Sequence, residues 1–250
     1  MYYIDIHAHV GDCRIFDMNV TETQLLEAME KSQVNATIVQ PFPGASDYRA
    51  VHDQIAKMTE EHPGKIYGLV SINPHKDAAV LEKEIRHYVE DCGFVGVKLH
   101  TQGHAVHPDS KDAHTLYEIA AKLQIPVNVH TGLGIPFSMP SLLLPIAKQY
   151  PELIFVVAHS GTLTYASEAV ILAQECRNVY LDTTMCVIED LLMLKKKVGA
   201  ERLMYASDSL KSVALEQIKY RAADFEKEEL ERIFYKNAAR VFRLKEYEDL

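Results

Sequence analysis

What the chain lacks narrows its chemistry first. It has no excess of positive charge: 26 Lys and Arg stand against 35 Asp and Glu, a formal net charge of -9 over 250 residues. A nucleic-acid binder needs a basic field to neutralise phosphates, and none exists here. Its four cysteines, Cys13, Cys92, Cys176 and Cys186, form no C-x-x-C pair. That excludes a disulfide-dense scaffold and makes a reducing cytoplasm the simplest setting. Apolar runs such as LIFVVA fall far short of the roughly 20 residues a bilayer-spanning helix needs. The opening MYYIDIHAHV has neither a basic n-region nor a small-residue cleavage site, so neither secretion nor membrane insertion is expected. The segment HTGLGIP offers G-x-G without a third glycine, which is no dinucleotide fingerprint. Linkers, low-complexity tracts and recognisable repeats are also missing, so residues 1–250 are read as one domain.

What is present is a regular alternation. With 48% hydrophobic and 24% charged residues the chain can bury a large core. β-Branched apolar runs recur eight times: YYIDIHAHV, NATIVQPF, KIYGLVSIN, FVGVKLH, PVNVHTG, LIFVVAHSG, NVYLDTT and RLMYASDS. Amphipathic helical stretches lie between them, from TETQLLEAMEKS to IEDLLMLKKKV, and KEELERIFYKNAARVFRL closes the chain. Thr21 with Gln24 can form a capping box, and Gly64, Gly93 and Gly199 stand where helices should stop. Strict alternation implies a parallel sheet, and eight units in about 250 residues favour a closed α/β structure, a single (β/α)8 TIM barrel, over an open sheet.

Chemistry in such a barrel sits at the C-terminal ends of the strands. The first strand carries His7 and His9, which alternation turns to one face. An isolated H-x-H reads as well as a pair of satisfied structural histidines. Here His130, His159 and Asp208 follow at the same end of strands five, six and eight. Burying these ionisable groups together calls for a cation, and three imidazoles with a carboxylate suit one divalent metal ion, Zn²⁺ above all, or Mn²⁺, Fe²⁺ or Co²⁺.

DIHAHVG, GVKLH, PVNVHTG, FVVAHSG, YASD and the closing KNAARVF resemble, in this order, the amidohydrolase superfamily and its amidohydrolase-2 branch. The resemblance covers nearly the whole chain. It implies that His7, His9 and His130 ligate the metal, and that Asp208 both binds it and touches the activated water. His159 is implied as a catalytic group polarising a substrate carbonyl or moving a proton, with a fifth-ligand role as the alternative. Lys98 closes strand four, where some superfamily members carry a carboxylated lysine bridging two metals. Left unmodified, it is a cation for a substrate carboxylate, with His100 as its same-face neighbour.

Arg14, in the loop after the first strand, offers a bidentate fork to an acidic substrate or is a solvated surface residue. Loop residues His104 and His107, and Asn73 at the end of strand three, either border the pocket or are bland. Leu142, Leu143 and Ile146 read as helix core. The main functional expectation is a hydrolase using a metal-activated water on an amide, ester or lactone of a small acidic molecule. The alternative is a non-oxidative decarboxylase, a carboxy-lyase of a small unsaturated or aromatic acid, on the same site. The expected partner is a small-molecule substrate, with no nucleic acid and no membrane; homo-oligomers are left open.

Overall fold

A computed structural model of the protein describes residues 1–132, 136–162 and 164–248. Gly134 of the G-x-G segment lies outside them. The chain starts with β1 (Ile4–Cys13), β2 (Met18–Val20), α1 (Glu22–Lys31), β3 (Ala36–Pro41) and α2 (Tyr48–Glu61). β4 (Ile66–Gly68), β5 (Val70–Ser71), α3 (Ala78–Arg86), β6 (Val97–Leu99), α4 (Lys111–Leu123) and β7 (Val127–His130) follow. Then come α5 (Leu144–Gln149), β8 (Phe155–Ala158), α6 (Ala166–Glu175), β9 (Val179–Asp182), α7 (Ile188–Lys197) and β10 (Leu203–Met204). The C-terminal part is α8 (Val213–Ala222), α9 (Lys227–Glu231), α10 (Asn237–Phe242) and α11 (Lys245–Glu248).

The helices form where local chemistry starts and stops them. Thr21 and Gln24 make the expected capping box on α1, and Asp47, Asp77 and Ser110 cap α2, α3 and α4 with side-chain oxygens. After the helices the chain turns through positive φ at Gly64 and Gly93, which a side chain would strain.

The strands run in the order β2-β1-β3-β4 and, continuing round, β5-β6-β7-β8-β9-β10, all parallel except the β1–β2 hairpin. β4 and β5 are one barrel strand broken at Leu69, whose N–H still donates to Val39 O at 2.9 Å. Between β10 and β1 the ring is joined by Ile6 N to Tyr205 O at 3.3 Å and Asp208 N to His7 O at 2.7 Å. The (β/α)8 barrel expected from the alternation is present.

Three details differ from the simple pattern. The first strand does not end at His9 but runs on to Cys13 and turns back as β2, lifting a hairpin above the barrel. A further helix, α8 (Val213–Ala222), follows the polar segment after Asp208 and precedes the C-terminal helices. The fifth helical stretch is a short 3₁₀ turn, Pro140–Leu143, leading into the six-residue α5.

The core explains how polar residues reach the barrel mouth. Ile4, Ile6, Ile38, Leu69, Val156 and Met204 pack in one cluster, whereas most other strand residues pack outward against the helices. Two residues beyond Ile38 stands Gln40, and two beyond Ala206 stands Asp208, so one strand face passes from apolar to polar along its length. On β1, strict alternation from Ile4 and Ile6 would turn His7 and His9 away from that face. The register shift between Asp5 and Ala8 returns them to it, as a bulge re-aims a side chain.

Candidate metal centre

Asp5 fixes the floor of the site. Its carboxylate accepts from His7 N at 3.1 Å and Ser207 N at 2.9 Å, and it also takes the Ser207 hydroxyl hydrogen bond. It therefore ties β1 to the segment after β10 and brings Asp208 beside His7. Burial pushes the Asp5 carboxyl up to about 7. Asp208 itself sits at φ 59°, in the left-handed region a non-glycine residue rarely adopts, and His159 does the same at φ 64°. Such strain persists only where surrounding structure over-determines it, which is common at functional sites.

His7, His9 and Asp208 converge. His7 Nε2 lies 3.3 Å from His9 Nε2 and 3.2 Å from Asp208 Oδ1, and His9 Nε2 lies 3.4 Å from the same oxygen. The outer nitrogens are already engaged: His7 Nδ1 donates to Asp182 Oδ2 at 2.8 Å and His9 Nδ1 to Pro41 O at 3.1 Å. In the neutral rings both Nε2 atoms then carry lone pairs, facing each other and a carboxylate oxygen with no proton between the two nitrogens. Metal–nitrogen bonds of about 2.0–2.1 Å give ligand–ligand edges of roughly 3.0–3.4 Å, so the three edges fit a divalent cation. The carboxylate–histidine contact from Asp182 is the usual support for such a ligand.

The electrostatics agree. Burial lowers His7, with nearby Lys98 adding to it. Burial pushes Asp208 up, but His7 and the contact with His9 outweigh it and hold the carboxyl well below the usual range. Burial likewise opposes ionisation of Asp182, and the hydrogen bond from His7 overcomes it, leaving the carboxyl depressed. Both acids are thus anionic at neutral pH and the buried His7 ring is neutral.

His130 does not join His7, His9 and Asp208 within 4.8 Å spacing. It stacks on His100 with centroids 4.1 Å apart and meets His159 edge-on at 5.0 Å. All three line the same cavity, so the expected fourth ligand stands at the cluster's side in this geometry. Burial lowers His130 and His100 well below the ordinary imidazole value and His159 to about 4. Nδ1 of His159 is buried without a hydrogen-bond partner.

Two substrate-binding expectations change. Lys98 is fully buried beneath the cavity rather than on its wall, with Nζ 3.1 Å from His7 Nε2 and donating to Asn128 Oδ1 at 3.2 Å. Burial pushes it down to about 8. Its ammonium is engaged with His7 and Asn128. Arg14 is exposed and does not line the cavity; it stands in the turn between β1 and β2, just past the end of the strand. His100 does line it, with Nδ1 accepting from Gly103 N. His104 is buried, whereas His107 and Asn73 are exposed; none of the three lines the cavity.

Sequence reasoning missed Asp182, Gln40 and Asn128. Gln40 Nε2 lies 3.2 Å from His9 Nε2. All three occupy strand positions, and the one signal pointing to them was a polar residue within an otherwise apolar run. A second grouping, Glu22, Glu61 and His62, lies on the outer surface, where His62 is already paired with Glu22 at 2.8 Å.

A parallel barrel whose mouth gathers imidazole lone pairs around a carboxylate has the makings of a metal-dependent barrel enzyme. Within that class the chain belongs to the amidohydrolase family, whose profile matches residues 4–244. No curated protein matches it in sequence. Solved structures of similar fold include an uncharacterised TIM-barrel protein from Bordetella bronchiseptica, with TM-score 0.83, 16% identity, and 98% and 99% of the two chains covered. Another is 2,6-dihydroxybenzoate decarboxylase from Rhizobium, with TM-score 0.75, 14% identity, and 98% and 99% covered. A third is a dihydroxybenzoic acid decarboxylase from Polaromonas with bound manganese and 2-nitroresorcinol, with TM-score 0.77, 15% identity, and 100% and 99% covered.

Proposed function

We propose that the protein is a divalent-metal-dependent, non-oxidative decarboxylase of a small aromatic or unsaturated acid. The observation that carries this reading is the cavity over the donor cluster. Its floor holds His9, His159 and Asp208, and its walls include Phe16, Met18, Phe42 and Met185, with Phe42 stacked on His9 at 4.7 Å. Apolar walls above convergent polar groups suit a flat acid held by its carboxylate end. The likeness to decarboxylase structures supports the same choice over hydrolysis.

His7, His9 and Asp208 would hold the ion, with His130 beside them. When bound, the ion supplies positive charge that orients the acid and draws electron density from it. Nitrogen and oxygen donors suit zinc or manganese alike. Decarboxylation then needs a proton on the carbon that loses CO2, while the electrons of the breaking C–C bond return to the ring. Asp208, held anionic, is a poor donor. His159 is the residue we assign to that proton: it lines the cavity, and while burial holds its ring down at about 4, Asp208 and an incoming substrate carboxylate act in the opposite direction, towards the protonated form. The four free cysteines fit the reducing cytoplasm, and that setting is part of the same proposal.

The test is manganese- and zinc-loaded protein incubated with hydroxybenzoates, lactones and amides, measuring CO2 and hydrolysis product together. The expected result is one CO2 per substrate consumed without net addition of water. Hydrolysis without CO2 would overturn the lyase and favour the metal-dependent hydrolase. His159→Asn is expected to keep its metal while turnover falls about 100-fold or more.

A further inference from the structure

The cavity is far larger than the proposed reaction needs. It holds about 1210 Å³, whereas an apolar cavity of about 150 Å³ already admits benzene. The excess lies on one side. From the donor cluster the space continues outward between the β1–β2 hairpin, α1 and the segment leading into α8.

Each wall of this outer arm has its own character. The hairpin contributes Ile15, Phe16 and Met18, of which Ile15 is 57% and Phe16 68% exposed. Large side chains so open to solvent, on a hairpin lifted over a polar site, form an apolar wall that the described residues leave largely uncovered. α1 presents Gln24, Glu27, Ala28 and Lys31, which are spaced by three and four residues and so share one face; Leu25 and Met29 on its other face are buried in the core. Lys211 closes the far side. Neither Lys31 nor Lys211 has an ion-pair partner among the described residues, and Glu27 is the single acid on this arm. On a chain of net charge -9 the arm is therefore locally cationic at its outer end.

We propose that this arm is a second subsite, for an apolar extension of the substrate that ends in an anionic group received by Lys31 and Lys211. The substrate class is then an acid-bearing head with an elongated, anion-terminated tail, not a bare benzoate. The inference rests on the proposed function only in placing the acid head at the donor cluster. It holds whether that head loses CO2 or is hydrolysed.

Binding, rather than turnover, tests it. Manganese-loaded protein is titrated by calorimetry with benzoate, 4-hexylbenzoate and 4-(5-carboxypentyl)benzoate. The expected order is a gain of about tenfold or more for the hexyl chain and a further several-fold gain for its terminal carboxylate. The double variant Lys31→Ala/Lys211→Ala is expected to erase only the last gain. Ile15→Ser/Phe16→Ser is expected to erase only the first. Equal binding of the three probes overturns the subsite, as does a carboxylate gain that survives loss of both lysines. Sedimentation of the wild type and the hairpin variant adds a second readout. A dimer that falls apart in the variant would assign the hairpin wall to a second copy of the chain and sink the proposal; unchanged mass supports it. If lactones or amides are hydrolysed without CO2 release but the tail gains persist, the decarboxylase reading fails while the subsite stands.

Discussion

The barrel mouth and the buried polar patch under α8 hold similar chemistry and use it differently. Under α8, Lys219 donates to Thr183 O and Cys186 O and pairs with Glu216, and Glu216 Oε1 accepts from Met185 N at 3.0 Å. Donors meet acceptors, and the result is a clamp that shapes the loop after β9. At the mouth, two imidazole lone pairs and a carboxylate oxygen point at one another. A buried polar group costs stability unless it is paired; the first arrangement is complete in itself, whereas in the second Lys98 Nζ and Gln40 Nε2 each approach one imidazole nitrogen from the side and three acceptors still converge on a point that a cation would fill. His52 makes the same point with one residue: buried on α2, it has Nδ1 on Tyr48 O at 2.7 Å and Nε2 accepting from Ser71 N at 2.9 Å. Burial alone does not distinguish a ligand from a strut. The direction of the lone pairs does.

This contrast can be broken most severely at the mouth. His7→Ala and Asp208→Ala are each expected to lose stoichiometric metal and turnover together, beyond the roughly 10- to 100-fold cost of removing a supporting residue. Metal analysis of the purified variants decides it, and full metal occupancy in either would remove that residue from the ligand set.

Under α8 the expected damage is to stability instead. Lys219→Met leaves Glu216 buried without its partner and is expected to cost about 3–5 kcal/mol in chemical unfolding, with metal content unchanged. Replacing both, as Glu216→Leu/Lys219→Met, should recover much of that loss. A Lys219→Met protein as stable as wild type would mean the clamp contributes nothing.

His52 gives a pH signature of somewhat smaller size. Burial lowers it from 6.5 to about 4, so between those values the unfolded chain binds the extra proton and the folded one does not. Its contribution is present above about pH 6.5 and is lost as pH falls towards 4, amounting to about 3 kcal/mol at most. His52→Gln is expected to flatten the stability profile across that window, as read by denaturant unfolding at several pH values. An unchanged slope would rule out His52 as its source.

The mildest test is Asp182→Asn, which keeps the shape but withdraws the charge behind His7. Metal affinity is expected to fall about 10- to 100-fold while the fold is retained. Unaltered affinity by competition with a chelator would make Asp182 a structural acid like Glu216.

Much of the fold was legible because alternation, caps and turn glycines act locally. Thr21–Gln24 and Gly93 could be read from neighbours in sequence, and eight βα units in this length leave little but a barrel. The hairpin beyond His9 was not legible, since Gly11 and Asp12 break the apolar run and read as a turn, and only the pairing of residues 11–13 with Met18–Val20 carries the strand through them. α8 was also missed, because its exposed Leu215 and Ile218 blur the helical stripe. At the site, His7, His9, His159 and Asp208 were visible from their place at strand ends. Lys98 was read as a substrate contact by residue type, and Arg14 as either a substrate contact or a solvated surface residue; the structure buries the first beside His7 and leaves the second exposed on the hairpin turn.

The sequence by itself therefore determined the barrel and the donors that could meet at its mouth, because strand periodicity and strand ends are properties of short segments. Only the tertiary structure decided which of them do meet. The register shift between Asp5 and Ala8 turns His7 and His9 inward, and the Asp5 bridge to Ser207 brings Asp208 to them. Both depend on how β1 pairs with strands distant in sequence, and no local pattern encodes that pairing.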